Sequence, residues 1–222
     1  MMKLLFETRA AKCILTSVAS NDCIIVTGSS GCGKSSNIHH VACTYVKHLD
    51  EIIPVLTGPS DIIHYKHENI QQVFIVDDIC GKETINKQTL QVWRDYSDKM
   101  IRIFKTVITE EQNKNNNDTV SNITRSKLLI SCRLHIYKEL QFQLDNFLTT
   151  KECNIVSPDL CLLQKEKRQM AKMYHLDDMI DEIMEVEGNV HYFPLLCKLS
   201  KDKNSEGVLK LFTAPEDSIK RI

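Results

Sequence analysis

The chain has 222 residues, 42% hydrophobic and 26% charged, with 28 Lys and Arg against 29 Asp and Glu for a formal net charge of −1. That balance is ordinary for a soluble globular protein and gives no overall basic footprint for nucleic-acid binding; no apolar run reaches the ~18 residues of a bilayer crossing, and the apolar patch at Leu4-Leu5-Phe6 is too short for a signal peptide. Nine cysteines, odd in number, scattered and without a C-x-x-C pair, read as small hydrophobes of a reducing, cytoplasmic compartment.

Taken in order, Thr8 is the expected N-cap of a helix over residues 9–19, with Ala11, Ile14, Leu15 and Val18 on one side and Asn21-Asp22 ending it. Residues 23–27 are nearly all apolar, as suits a central parallel strand covered on both faces. A glycine-rich turn follows, then a helix through Val41, Tyr45 and Val46 to about Leu49. Residues 51–57 read as a second strand, Gly58-Pro59 as a turn and Ser60 as the cap of a short helix through Tyr65. The third strand, Val73-Phe74-Ile75-Val76, ends in Asp77-Asp78, and Gly81 breaks the chain. One long helix from Ile85 is expected to bury Leu90, Trp93, Met100, Ile101 and Phe104, spaced mostly three and four apart.

Residues 109–122 are polar and low in complexity, a surface loop by composition. Asn122-Ile123-Thr124 has the glycosylation spacing, which a reducing compartment leaves unmodified. Residues 127–133 read as a fourth strand with Arg133 at its exit, one or two helices as spanning 135–147, and residues 152–156 as a fifth strand. Past Pro158 only helical patterns remain. Leu163, Met170, Met173 and Tyr174 share one face; Leu176, Met179, Ile180, Ile183 and Met184 share another, with Asp177 as a cap and the acidic run 177–187 as a solvated face. The methionines Met170, Met173, Met179 and Met184 read as core packing. Pro194 opens a further helix, and residues 208–212 suggest one more. The expected fold is α/β: a parallel sheet of about five strands sandwiched by helices over residues 1–157, then a small all-helical subdomain over 158–222.

The chemistry concentrates in Gly28-Ser29-Ser30-Gly31-Cys32-Gly33-Lys34-Ser35-Ser36, which has the P-loop spacing between a strand and a helix. Successive backbone N–H groups of such a loop form a nest for phosphate at a helix N-terminus, where the macrodipole favours an anion. Lys34 can reach the β- and γ-phosphates, and the Ser35 hydroxyl can sit on Mg²⁺. Asp77, ending an apolar strand, is the natural magnesium carboxylate, and Asp78 a general base for the attacking water. Arg133 leaves the fourth strand at the sheet edge where open α/β folds bind ligands, placed to meet a γ-phosphate. The guanine-reading N-K-x-D element is absent, since Asn86-Lys87 and Asn113-Lys114 are followed by the wrong residues, which favours adenine. The eight histidines form no ligand set.

Together these residues resemble the STAND class of signalling NTPases and, within it, novel STAND NTPase family 3. The resemblance is carried by Phe6-Glu7-Thr8-Arg9-Ala10, by the P-loop, by residues 73–82, by Leu128-Leu129-Ile130-Ser131-Cys132-Arg133 and by Tyr192-Phe193-Pro194-Leu195-Leu196. It implies that Arg133 is a sensor arginine, that Pro194 lies against the adenine and that Thr8-Arg9 approach the base or ribose. It further implies an ATP-binding, slowly hydrolysing switch: ADP holds a closed state, and Mg²⁺-ATP a state competent for homo-oligomer assembly. Effector or sensor segments would then lie outside this chain. Two other readings stand beside it. A small-molecule kinase could use the same P-loop, although the helical tail offers only Arg168 and Arg221 where kinases carry an arginine-rich lid. A nucleotide-binding scaffold without hydrolysis is the other, against which the intact Asp77-Asp78 pair speaks.

Overall fold

The computed structural model describes residues 7–46, 50–104, 126–144, 150–186 and 192–215. Five strands form one parallel sheet: β1 (Cys23–Gly28), β2 (Glu51–Val55), β3 (Gln72–Val76), β4 (Lys127–Arg133) and β5 (Lys151–Asn154), in the spatial order β2-β3-β4-β1-β5. β1 and β4 sit inside the sheet and are buried on both faces, which is why their sequences are apolar runs rather than alternating patterns. The register sets Gly28 opposite Arg133, so the P-loop opens beside the exit of β4.

Strand side chains alternate between two cores. Ile24 and Val26 face α1 (Arg9–Ser20) and α2 (Lys34–Tyr45), packing on Ile14, Val18, Ile38 and Val41. Ile25 faces the other way, in the cluster that holds Phe74, Leu128 and Ile130. On that side lie α3 (Pro59–Tyr65), α4 (Lys87–Asp95), α5 (Ser97–Phe104) and α6 (Leu134–Leu144). Ile62, Trp93, Met100, Phe104 and Ile136 fill the layer, with Phe74 and Phe104 edge to face at 6.0 Å.

Local chemistry explains where elements start and where sequence expectations fail. The Thr8 hydroxyl accepts the Ala11 N–H at 3.0 Å as the N-cap of α1. Ser60 is not the cap of α3. Gly58 holds that position at φ 133°, Pro59 opens the helix, and the Asp61 carboxylate gathers the Leu56 and Thr57 N–H groups at 2.8 and 2.7 Å. The single helix expected from Ile85 is two, broken at Tyr96, whose ψ of 1° leaves helical geometry; Asn86 caps the first by accepting the Thr89 N–H. The buried stripe of Leu90, Trp93, Met100 and Phe104 continues across the break.

Four further helices follow the sheet: α7 (Gln164–Met173), α8 (Ile180–Glu185), α9 (Phe193–Leu199) and α10 (Ser205–Thr213). Their own cluster contains Ala171, Ile183, Leu196, Leu211 and the edge-to-face pair Phe193–Phe212 at 5.7 Å. Asp177 begins a 3-10 turn, Asp177–Met179, without a side-chain cap bond, and Leu163 precedes α7 as its cap residue instead of extending its buried face. Among the described residues no strand follows β5, and no helix is long and apolar enough to cross a membrane. α2 ends earlier than expected, at Tyr45: Val46 is its C-cap in extended backbone (ψ 130°) and does not carry the helix on toward Leu49. The polar stretch 109–122, the Asn122-Ile123-Thr124 triplet and the approach to Phe147 lie outside the described residues.

Burial pushes the thiols of Cys80, Cys132 and Cys197 up to about 12 and that of Cys153 up to about 11. These cysteines are protonated at neutral pH and act as small core hydrophobes.

Candidate functional site

At the C-terminal edge of β1 the chain turns through the glycine-rich loop into α2. Gly31 (φ 71°) and Gly33 (φ 94°) occupy left-handed backbone that a side chain would strain. Lys34 is only 6% exposed, and its amine curls back to donate to the Ser29 carbonyl at 2.9 Å. The Cys32 thiol donates to the same carbonyl at 2.9 Å; burial holds its pKa above the ordinary value against the pull of Lys34, so the proton stays on sulfur. Among the described residues, the buried Ser29 hydroxyl has no hydrogen-bond partner. A loop with a curled-back amine and an orphaned hydroxyl has donors to offer an anion.

The acidic pair is tied to β4 by Ser131. Its hydroxyl donates to Asp77 Oδ1 at 3.0 Å and accepts the Asp78 N–H at 2.8 Å, and its carbonyl accepts the Ile79 N–H at 3.0 Å. Asp78 lies in left-handed backbone (φ 48°), an uncommon conformation for a residue with a side chain. Asp77 Oδ2 lies 3.5 Å from His39 Nε2, one helical turn beyond Ser35 on α2.

A cavity of about 290 Å³ opens over the loop. One wall is polar: Ser30, Gly31, Cys32, Gly33, Lys34, Ser35 and Ser36 with Asp78 and Arg133. The other is largely apolar: Leu162, Met170, Met173, Tyr174, Pro194 and Leu195 from the helical part. Thr8, Asn37, His40 and Lys198 complete it. The helical part comes down onto the P-loop itself. A Cβ at Gly31 would meet Leu195 Cδ2 at 2.9 Å, and one at Gly33 would meet Pro194 Cγ at 3.6 Å.

Of the residues singled out in the sequence, the cavity therefore gathers Thr8, Ser30 through Ser36, Asp78, Arg133 and Pro194. Gly28, Ser29, Asp77 and Arg9 are not on its wall. Gly28 and Ser29 form the loop's underside, where a Cβ on Gly28 would meet Cys32 Sγ at 2.7 Å. Arg9 turns away: its guanidinium donates to the carbonyls of Cys161 (2.8 Å) and Pro158 (3.3 Å). Its backbone N–H donates to Glu166 Oε1 at 2.5 Å, while Glu166 Oε2 accepts the Leu163 N–H at 2.8 Å. Glu166, 4% exposed, thus satisfies orphan N–H groups at the starts of α1 and α7 together. The Thr8 hydroxyl donates to Asn37 Oδ1 at 3.0 Å as well as capping α1, so both of its hydrogen-bonding roles are taken by the protein.

Sequence reasoning missed most of the apolar wall. Helical spacing puts Met170 and Met173 in the core, yet Met173 is 38% exposed and both line the cavity. Asn37 and His40 carry a weak signal, lying one and two turns into the helix that follows the P-loop.

The residues suit a nucleoside phosphate with magnesium. Among the described residues no group of three or more His, Cys, Asp or Glu forms a metal cage, so an ion here would draw on phosphate oxygens beside the Ser35 hydroxyl and the Asp77 carboxylate.

The family model described as Novel STAND NTPase 3 matches residues 5–177. The chain belongs to that family. The Novel STAND NTPase 3 match covers the P-loop, Asp77-Asp78 and Arg133, while Pro194 lies beyond it. Membership makes the protein a nucleotide-binding NTPase. No curated protein matches the chain. Among solved structures it is similar to C. elegans PCH-2, at 12% identity and a TM-score of 0.57, covering 99% of this chain and 72% of that one. It is similar to the FIGL-1 AAA domain at 11% identity and a TM-score of 0.51, covering 96% and 74%. It is also similar to a mutant of Thermotoga maritima RuvB at 13% and 0.50, covering 94% and 67%. The chain spans about two thirds of the length of the first structures it matches, 67% of the RuvB mutant and 65% of the Aeropyrum pernix ORC2 protein. At these identities the likeness is one of fold: a five-stranded parallel P-loop NTPase sheet with flanking helices.

Proposed function

We propose that the protein is an ATP-driven signalling switch with slow hydrolysis, built from a nucleotide-binding part over residues 1–157 and a helical lid over 158–222. One observation carries the reading: Arg133 and Asp78 from the sheet line the same cavity as Pro194 from the lid. A nucleotide there would touch both parts at once, as a ligand that shifts a conformational equilibrium must.

In this reading the loop N–H groups and Lys34 bind the phosphates, Lys34 giving up its bond to the Ser29 carbonyl. Magnesium, held by Ser35 and Asp77, would supply charge neutralisation at the phosphate oxygens. Ser131 fixes Asp77 and the Asp78 backbone, and the Asp78 carboxylate takes the proton of the attacking water. Arg133 contacts the γ-phosphate, the group present in ATP and absent from ADP. Pro194 lies against the adenine at the apolar wall, with Thr8 nearby and Arg9 bracing the segment behind it. Adenine is favoured because no N-K-x-D element is present and Asn86 is occupied as a helix cap. The switch would act by nucleotide-dependent self-association and through effector or sensor segments outside this chain, in the cytoplasm. Against a kinase, Arg168 of the lid pairs with Asp181 at 2.7 Å and is not on the cavity wall.

The test is the difference between two nucleotides. A charged hydrogen bond to the γ-phosphate is worth about 1.5–3 kcal/mol, so Arg133→Ala should weaken a β,γ-imido ATP analogue at least ~10-fold and leave ADP nearly unchanged by calorimetry. It should also abolish any triphosphate-dependent self-association in light scattering. Equal losses for the two nucleotides would make Arg133 a structural residue and remove the switch reading's main support.

A further inference from the structure

The guanidinium of Arg133 is engaged. Arg133 is 15% exposed in its side chain, and its Nη1 lies 2.5 Å from Glu83 Oε1, whose side chain is 82% exposed. Glu83 belongs to the turn that joins Asp78 to α4, a segment shaped by unusual backbone. Asp78, Cys80 and Gly81 all have positive φ, at 48°, 61° and 119°. A Cβ on Gly81 would meet the Thr84 carbonyl at 2.3 Å, so the turn closes on itself. Its base is anchored: Ile79 and Cys80 are buried, and the Asn86 N–H donates to the Cys80 carbonyl at 2.7 Å. Its tip, Lys82 to Thr84, is exposed, and the Glu83 carbonyl faces His135 Nε2 at 3.1 Å. The turn holds the Glu83 backbone in place while its side chain reaches into solvent and back to the arginine.

We propose that Glu83 is a specificity-determining residue of the nucleotide site: it competes with the γ-phosphate for Arg133 and so lowers the preference for triphosphate over diphosphate. The inference rests on Arg133 reading the γ-phosphate. A carboxylate and a terminal phosphate are both anions, and each seeks the same planar fork of donors. Bringing the second anion to Arg133 means releasing the first or holding two like charges side by side. Release is the easier course, because the exposed Glu83 carboxylate regains full hydration and the pair it leaves is screened by solvent. ADP brings no third phosphate and leaves the pair intact. Glu83 therefore penalises one nucleotide and spares the other. Freed of Arg133, the exposed tip keeps, among the described residues, the backbone anchors at Cys80–Asn86 and Glu83–His135, and it follows Asp78 closely along the chain.

The experiment is a double-mutant cycle on the full chain, with affinities for ADP and for the β,γ-imido ATP analogue measured by titration calorimetry. Glu83→Gln should tighten the triphosphate analogue about three- to fivefold, the scale of an exposed ion pair, and leave ADP within about twofold. In the Arg133→Ala background the same Glu83→Gln change should lose most of that gain, because the competition has lost its object. If Arg133→Ala is selective for the triphosphate but Glu83→Gln alters neither nucleotide, or alters both equally, the competition is overturned while the reading of Arg133 stands. A weaker triphosphate in Glu83→Gln would overturn it too, showing that Glu83 holds Arg133 in place for the phosphate. If Arg133→Ala is itself unselective, the switch reading fails and this inference goes with it.

Discussion

The two walls of the cavity are made in different ways. The polar wall is a single run of sequence, Ser30 to Ser36, joined by the ends of two strands, Asp78 and Arg133. Each member is placed by backbone: left-handed glycines, the start of α2, and strand register. The apolar wall draws Leu162, Met170, Met173 and Tyr174 from one stretch and Pro194 and Leu195 from another, placed by how four short helices pack on each other. The first wall is local, its side chains set by neighbouring backbone within a single loop and two strand ends. The second belongs to helices that pack into a core of their own, separate from the two cores of the sheet. Where the walls meet, Leu195 presses on Gly31, and Glu166 with Arg9 bonds the start of α1 to the start of α7.

The sharpest way to break this contrast is to separate chemistry from binding on the polar wall. Asp78→Asn keeps the shape of the side chain but removes its ability to accept the water's proton. Turnover by phosphate release should fall about 10²–10⁴-fold while affinity for the magnesium triphosphate stays within about threefold. Hydrolysis at the parent rate would take the general base away from Asp78. A smaller effect is expected from Lys34→Ala, which removes the buried cation of the loop. It should weaken ADP, the triphosphate analogue and inorganic pyrophosphate alike, by about 10- to 100-fold, because all three present the phosphates that the proposed function assigns to Lys34. Unchanged calorimetric affinities would show that this loop is not the phosphate site.

The same contrast decides what was legible in the sequence. The P-loop, the acidic pair and Arg133 could be found because each is a short motif whose geometry follows from the strand before it. Apolar runs likewise marked five strands to within a residue or two. The break at Tyr96 was hidden because the buried stripe from Leu90 to Phe104 keeps helical spacing across it. The partners of the Arg9 guanidinium are hidden for a different reason: the carbonyls it donates to, on Pro158 and Cys161, are about 150 residues away along the chain. Met173 is the clearest case. It shares a helix face with Met170 and Tyr174, the pattern of a core position, and only the placement of α7 against the P-loop side turns that face into a cavity wall.

Met173 also gives the smallest and most discriminating prediction. Its side chain is exposed enough to be free for a ligand and adds no charge, so its contribution to binding would come from covering the apolar face of the base. Covering one or two methylene-sized groups is worth about 1 kcal/mol, or about fivefold in affinity. Met173→Ala should therefore weaken ADP about fivefold in calorimetry, and pyrophosphate, which has no base, not at all. Thermal melting should move little, because the residue lies at the edge of the helical core rather than within it. An equal loss for pyrophosphate would mean that the substitution disturbs the seating of the lid on Gly31 and acts on the polar wall from a distance. Unchanged ADP affinity would put the base elsewhere in the cavity, nearer Asn37 and His40, and the division of labour between the two walls would have to be redrawn.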